Sequence, residues 1–344
     1  MRKRLIAVPL MCGALLSLAA CGNYAIPDST PPPSQAVAAN PFEAAEEDAG
    51  FLAMLTHEAA SADFSERGER LPFSYDGGEF RLEYRFSLTG KMDTVGFLLF
   101  LDGQPQPYKV NDTTAEYAYC HSFPAEEDQS FSFLFEPVTG RAGDTLALTV
   151  VSITNPDFQP DMESTSSYGW YHKTLDSHIE LKFNADAPGA HSDFPPVREI
   201  FSQSEVREEK VTARYVETEL PKYGWDGVSM DTLDSGIYYT FSCDGGITYD
   251  NLRASAPVPL RFTMCGTAGT SYSIAFFLDH QPVKLDESTC HSITLSKGGV
   301  MELEAMIDPD KLGQFNTFYC VAVPQDGASG PFFKTNSILL YKEN

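Results

Sequence analysis

The chain has 344 residues, of which 42% are hydrophobic and 12% are aromatic. That length suffices for two domains with their own cores, and the composition excludes a disordered chain. Its 48 acidic residues against 24 lysines and arginines give a formal net charge of −24. Because such a surface repels phosphate backbones, no nucleic acid is expected as a partner.

The N-terminus has the pattern of an export signal. Three basic residues follow the first methionine, an apolar run extends from Leu5 to Leu18, and Leu18-Ala19-Ala20-Cys21 ends it. The run is too short to span a bilayer as a stable helix. The last four residues resemble the lipobox of bacterial lipoproteins, in which the cysteine is diacylated after the preceding peptide is removed, and Gly22 fits that pattern.

This resemblance implies a signal peptide over residues 1–20 and a lipid anchor on Cys21. Two acyl chains hold a protein stably on a membrane that it does not cross. We therefore expect the mature chain to be anchored to the cell membrane, on its extracellular or periplasmic side, with the membrane as a partner through the lipid.

Residues 21–66 are predicted to form a tether that contains a short helix. Pro31-Pro-Pro33 and the surrounding alanines and serines favour an extended segment. Asn40-Pro41 has the residue types of a helix start. Apolar residues then recur at spacings of three and four as far as Ala59, which predicts an amphipathic helix.

A repeated motif organises the rest of the chain. Phe100-Leu-Asp-Gly-Gln-Pro105 returns as Phe277-Leu-Asp-His-Gln-Pro282, with five of six residues identical. Two further motifs recur in the same order: Cys120-His-Ser122 as Cys290-His-Ser292, and Phe73-Ser-Tyr-Asp-Gly-Gly78 as Phe241-Ser-Cys-Asp-Gly-Gly246. The chain therefore contains one module twice.

Each copy has the pattern of an all-β domain. Short runs such as Phe80–Leu88 alternate apolar and polar residues, and turn residues such as Asp102-Gly103 separate them. This pattern predicts two tandem antiparallel β-sandwiches. The general pattern, with the strand that begins at Asp144-Thr-Leu, resembles bacterial immunoglobulin-like domains. The sequence lacks a Cys…Trp…Cys framework, so a jelly roll is the alternative topology.

The predicted boundaries place module 1 at residues 67–186 and module 2 at residues 236–344. The inter-module segment, residues 187–235, contains an alternating run from Val211 to Leu220. We expect it to add a strand or two to one of the modules rather than to serve only as a linker.

Five cysteines remain if Cys12 leaves with the signal peptide and Cys21 is acylated: Cys120, Cys243, Cys265, Cys290 and Cys320. An odd number cannot all pair, and only one position matches between the two copies. Free thiols are expected for most of them, and one bridge within the second copy is the alternative.

The two copies differ most between Thr154 and His178, where the first has a longer loop. Extended loops on a rigid sandwich commonly carry binding sites. Tyr168, Trp170 and Tyr171 in this loop are candidate contacts for a glycan or protein ligand, and Trp225 is a fourth because it has the same Tyr-Gly-Trp context. The alternative is that these aromatic residues cover a sandwich end or the interface between modules.

The same loop carries acidic residues that could hold a metal ion. Asp157, Asp161 and Glu163 supply the carboxylates that Ca²⁺ prefers, and no other cofactor is predicted. The repeated Cys-His pairs are poor metal ligands, because adjacent side chains on a strand point to opposite faces. His121 and His291 are therefore predicted to be rim or core residues.

The sequence favours a non-catalytic binding or structural protein. It contains no His-Glu-x-x-His, Gly-x-Ser-x-Gly or paired Cys-x-x-Cys motif and no phosphate-binding glycine loop. An accessory enzyme that acts on carbohydrate or peptide at the cell envelope is the alternative. It would need two carboxylates across a cleft, for which the candidates are Asp157, Asp161, Glu163 and Asp226.

Overall fold

The structure is a computed structural model that describes residues 53–90, 92–111, 116–160, 168–246, 251–325 and 330–342. The chain divides into two units, Met1–Gly50 and Phe51–Asn344, and every described residue belongs to the second. The lipobox, the proline-rich tether and the predicted helix start at Asn40 lie outside the described residues.

Module 1 is a sandwich of two sheets. Its strands are β1 (Ala53–Ala59), β2 (Phe73–Tyr75), β3 (Phe80–Gly90), β4 (Thr94–Leu101), β5 (Gln104–Gln106), β6 (Lys109–Val110), β7 (His121–Pro124), β8 (Asp128–Phe135), β9 (Thr145–Thr154) and β10 (Thr174–Phe183). One sheet has the order β1-β3-β8-β6, and the other has the order β2-β10-β9-β4-β5, with β7 also pairing with β4.

This strand order identifies the sandwich as immunoglobulin-like. In immunoglobulin notation, the first sheet reads A-B-E-D and the second contains G-F-C, followed by an additional edge strand. The short strand β2 pairs in parallel with β10, whereas the other pairs are antiparallel. The fold class predicted from the sequence is confirmed, and the strand order decides against the jelly roll.

Module 2 repeats this architecture. Its strands are β11 (Phe201–Lys210), β12 (Ile237–Cys243), β13 (Asn251–Arg253), β14 (Val258–Gly266), β15 (Ser271–Leu278), β16 (Gln281–Val283), β17 (His291–Thr294), β18 (Gly299–Ile307), β19 (Phe315–Pro324), β20 (Phe333–Lys334) and β21 (Ile338–Tyr341). One sheet has the order β11-β18-β14-β12, and the other has the order β13-β21-β19-β15-β16. Short helical turns lie in module 1 at Tyr168–Trp170, in the inter-module segment at Tyr215–Glu219, Leu220–Tyr223 and Leu233–Ser235, and in module 2 at Pro309–Lys311.

The inter-module segment supplies a strand, as expected, but not the predicted one. Strand β11 pairs with β18 at the sheet edge that β6 occupies in module 1. The alternating run from Val211 to Leu220 is instead helical from residue 213 onwards. Val211, which precedes the helix, packs in one buried cluster with Val216, Leu220, Cys265 and Val300.

The predicted helix is wrong where it can be checked, because residues 53–59 form β1. This strand pairs along its whole length with β3. Leu55, His57 and Ala59 point towards the core while the residues between them are exposed. Their spacing fits a strand as well as a helix, and pairing with the open edge of β3 decides the outcome. Module 1 therefore includes residues that precede the predicted boundary at residue 67.

One of the three repeated motifs does not mark equivalent positions. Phe73-Ser-Tyr forms β2, which is parallel to β10, whereas Phe241-Ser-Cys ends β12 in the opposite sheet. The counterpart of β2 is β13, which pairs in parallel with β21. The local similarity of these two motifs is therefore not part of the structural repeat.

The modules pack against each other through the outer faces of equivalent strands. This module junction is a buried apolar cluster of Leu98, Phe100, Val151 and Ile153 from module 1 with Ala275, Phe277, Tyr319, Val321 and Val323 from module 2. The repeated residues Phe100 and Phe277 meet edge to face, with ring centroids 5.9 Å apart. Contact between equivalent residues is the mark of a two-fold-related interface.

The cysteines are distributed between this junction and the cores. Cys120 and Cys290 pack against the junction, and both are free thiols, as are Cys265 and Cys320. Cys243 is buried in the core of module 2. Burial raises the pKa of the Cys120 thiol to about 12, so it is protonated and unreactive at neutral pH.

Candidate functional site

The long loop of module 1 is closed at its base by Thr154. The Thr154 hydroxyl donates to the carbonyl of Tyr171 at 2.5 Å and accepts from the amide of Lys173 at 2.8 Å. The backbone amide of Thr154 also donates to the carbonyl of Lys173. These bonds continue the β9–β10 pairing and fix both ends of the loop.

Tyr168 docks the loop onto module 2. Its side chain is buried, and its hydroxyl lies 2.5 Å from the Thr317 hydroxyl on β19. Its ring is therefore part of the contact between modules, which was the alternative expectation for these aromatic residues. Tyr171 is half-buried and stacks on Phe158 with ring centroids 3.8 Å apart, so it supports the loop from within.

Trp170 is the exposed member of this aromatic group. Its side chain is 66% exposed although its neighbour Tyr168 is buried. The Lys173 ammonium lies 3.9 Å from the centroid of the Trp170 ring, at the distance of a cation–π contact. A large aromatic surface is thus held in solvent by a loop that is anchored on both modules.

Trp225 does not extend the exposed aromatic surface of Trp170. Its indole Nε1 donates to the carbonyl of Tyr239 at 2.6 Å, and its ring meets Tyr238 and Tyr239 edge-on. These tyrosines belong to β12, in the sheet of module 2 that does not form the junction. Trp225 therefore holds the inter-module segment against module 2.

One of the three calcium candidates, Asp157, is exposed, whereas Asp161 and Glu163 lie outside the described residues. Within the described ranges, no group of three or more His, Cys, Asp or Glu side chains could hold a metal ion. Calcium binding at this loop stays a prediction. His121 is half-buried and its Nε2 lies 2.8 Å from the carbonyl of Tyr108, which fits the expected rim position.

A buried polar cluster beside the junction was not predicted. His280 lies at the one position where the repeated motif differs, since the first copy has Gly103 there. Its Nε2 lies 2.8 Å from the carbonyl of Pro156 in module 1, and its Nδ1 lies 3.0 Å from the Tyr319 hydroxyl. The mismatch in an otherwise repeated motif was the available sequence signal for this residue.

His172 and Lys334 complete the cluster. His172 is 2% exposed, neither of its ring nitrogens has a hydrogen-bond partner, and its ring centroid lies 5.6 Å from that of His280. The Lys334 ammonium donates to the Thr335 carbonyl and the Ser337 hydroxyl, each at 3.0 Å. It also lies 4.4 Å from the ring centroid of Tyr319.

Burial disfavours the charged form of all three groups. It lowers the pKa of His172 to about 2 and that of His280 to about 4, and the positive charge of Lys334 adds to both shifts. Burial and the nearby Lys173 lower the pKa of Lys334 to about 7. Both histidines are therefore neutral at pH 7, whereas Lys334 is about half protonated.

No helix within the described part of the chain is long and apolar enough to cross a membrane. No protein-family model matches the chain, and no curated protein matches it.

Solved structures that align with the chain have low similarity to it. The C-terminal domain of the Streptococcus agalactiae AgI/II polypeptide BspA is 7% identical, with 84% of this chain and 100% of that one covered and a TM-score of 0.19. Collagen adhesin from S. aureus is 8% identical, with 85% and 92% covered and a TM-score of 0.19. With TM-scores this low, the similarity carries no inference about function, and the fold assignment rests on the strand order.

Proposed function

We propose that the protein is a lipid-anchored surface protein that binds a glycan or protein ligand, with Trp170 as the central contact. The exposure of Trp170 on a loop that is fixed at both ends carries this proposal. Exposed aromatic side chains on rigid loops supply large contact areas at little conformational cost. The hydrogen bonds of Thr154 and the burial of Tyr168 hold the described residues beside Trp170 in place.

Anchoring through Cys21 is the second part of the proposal, and the sequence pattern from Leu5 to Cys21 supports it. It predicts that the mature chain begins at Cys21 and carries acyl chains. Mass spectrometry of the N-terminal peptide, with a Cys21→Ala variant as the control, measures both. A mature chain that begins elsewhere without a lipid would contradict the anchor and leave the binding proposal untouched.

An enzymatic role has less support. Its candidate Asp157 lies in the loop beside the junction, whereas Asp226 follows Trp225 over the other sheet of module 2. The sandwich separates them, so these two carboxylates cannot form one catalytic pair. The remaining candidates, Asp161 and Glu163, lie outside the described residues.

Binding is tested with the full chain on arrays of glycans and of surface proteins. Trp170→Ala should weaken binding to the ligand found there about 30-fold or more, as the loss of a central aromatic contact does. Phe64→Ala is the matched control, because Phe64 is also an exposed aromatic residue, at 60% exposure. Equal affinities of the wild type and Trp170→Ala would show that Trp170 is not the contact.

A further inference from the structure

The module junction combines a large apolar contact with a group of ionisable side chains that are buried apart from the half-buried Lys334. His172 and Tyr168 come from the long loop of module 1, whereas His280, Tyr319 and Lys334 come from module 2. The neutral imidazole of His280 is satisfied as it stands, because Nε2 donates to the Pro156 carbonyl while Nδ1 accepts from the Tyr319 hydroxyl. The closed junction therefore fits uncharged histidines.

Protonation would leave this arrangement unsatisfied. A protonated His280 would present a second N–H to the Tyr319 hydroxyl, which would then have to reverse its own hydrogen bond. A protonated His172 would carry two N–H donors in a buried site where neither ring nitrogen has a hydrogen-bond partner, and the pull of the nearby Asn155 backbone on its pKa is outweighed by burial. A buried charge without a partner is strongly destabilising, and here each histidine would face the other and the Lys334 ammonium.

The surrounding charged and titratable groups do not offset this effect. The groups that face the cluster are Asp157 and Tyr168 from module 1, Asp279 and Tyr319 from module 2, Lys173 at the base of the loop, and Cys120 at the junction. Asp157 attracts a proton to His280, but burial outweighs that attraction. Asp279 is already paired with Arg198 at 3.0 Å and accepts from the amide of Thr317.

We propose that the junction is an acid-sensitive latch: the modules are closed on each other at neutral pH, and protonation of His172 and His280 in mild acid opens them. Opening returns both imidazoles to water and frees the Trp170 loop from module 2. The latch would make the presentation of that loop depend on acidity.

The size of the effect follows from the proton linkage of the two histidines. In the open form each imidazole returns to its ordinary pKa of 6.5, whereas in the closed form the pKa values are about 4 and about 2. Acid therefore favours the open form, and the effect grows as the pH falls below 6.5. At pH 5, each histidine should raise the open-to-closed ratio about 30-fold, and the two together about 1,000-fold.

Small-angle X-ray scattering of the full chain between pH 8.0 and 4.5 tests the latch. The radius of gyration should be constant down to about pH 6.5 and should increase below it. In the double variant His172→Phe/His280→Gln, it should keep its neutral value throughout, because neither side chain titrates. Lys334→Met should move the expansion to lower pH, since it removes the nearby positive charge. A wild type that does not expand, or a double variant that expands at the same pH, would overturn the proposal.

Two measurements separate the latch from general acid unfolding. His291→Gln is the matched control, because His291 lies on β17 and lines a surface pocket with Val206 and Arg207 rather than the cluster, and it should leave the expansion unchanged. Titration of the histidine Cε1 protons by NMR needs no substitution and therefore does not depend on whether a variant folds. The signals of His172 and His280 should keep their neutral positions until the chain expands. If these two signals titrate near pH 6.5 before any expansion, the latch is wrong.

Discussion

The apolar contact between the modules can be tested with two consecutive phenylalanines on β15. Phe276 and Phe277 are both fully buried, but they point to opposite faces of the strand. Phe277 stacks on Tyr319 with centroids 5.4 Å apart and meets Phe100 of module 1, whereas Phe276 stacks on Phe318 inside module 2. Removing either ring by substitution with alanine should cost about 3–5 kcal/mol, the usual range for a buried phenylalanine.

The same loss of unfolding free energy should affect different transitions in the two variants. Phe276→Ala weakens the core of module 2 but leaves the junction intact, so urea unfolding should stay a single transition at a lower midpoint. Phe277→Ala weakens the junction, which should let the modules separate before they unfold. The two tryptophans report on these events, because Trp170 lies on the loop at the junction and Trp225 packs on module 2.

Tryptophan fluorescence in Trp225→Phe and Trp170→Phe backgrounds isolates each signal. In Phe277→Ala, the change at Trp170 should occur at a lower urea concentration than the change at Trp225, whereas in Phe276→Ala the two should coincide. If the probes coincide in both variants and the midpoints shift equally, the junction does not contribute a separable part of the stability, and the modules cannot open as the latch requires.

Three further substitutions test particular contacts by thermal and urea unfolding. Gly103→Ala should destabilise the chain by more than about 2 kcal/mol, because the backbone has a φ of +77° and the new Cβ would lie 2.4 Å from that of Ser273. Its control is Gly143→Ala, which has a φ of +100° but no atom near the new Cβ and should cost only about 1 kcal/mol. Glu302→Gln should cost about 2 kcal/mol at pH 7, because the 3%-exposed carboxylate accepts from Arg261 at 2.8 and 2.9 Å and from Arg207 at 2.8 Å. Burial raises the pKa of Glu302, but Arg261 outweighs it and holds the pKa below its usual range, so this stability is present above the pKa of an ordinary glutamate and is lost in acid. Equal costs for the two glycine variants, or a cost of Glu302→Gln that is the same at pH 3, would contradict these assignments.

Much of the fold could be predicted from the sequence because a half-buried strand alternates apolar and polar residues along its own length. Strand β3 alternates buried and exposed residues over nearly its whole length, as its sequence does. The helix predicted through Ala59 was wrong, because there the local pattern fits both a helix and a strand. A spacing of three and four can coincide with strand alternation over seven residues, and only the open edge of β3 selects between them.

The candidate site could be predicted only in part. The length difference between the copies pointed to the loop that holds the exposed Trp170, but burial separates Tyr168, which docks on module 2, from Trp170, which lies in solvent. No local pattern distinguishes these two aromatic residues, because the difference arises from the distant Thr317. Trp225 shares the Tyr-Gly-Trp context of Trp170 but packs on β12, so a shared motif did not mean a shared surface.

By itself the sequence determined that the chain holds one β-sandwich module twice, since periodicity and repetition are properties of the chain alone. Only the tertiary structure decided what the repeated motif does. Phe100 and Phe277 meet because equivalent faces of the two modules pack together, and Gly103 and His280 differ because each fits a different neighbour across that contact. Such pairings join residues far apart in the chain, so their physical cause is not visible until both modules are in place.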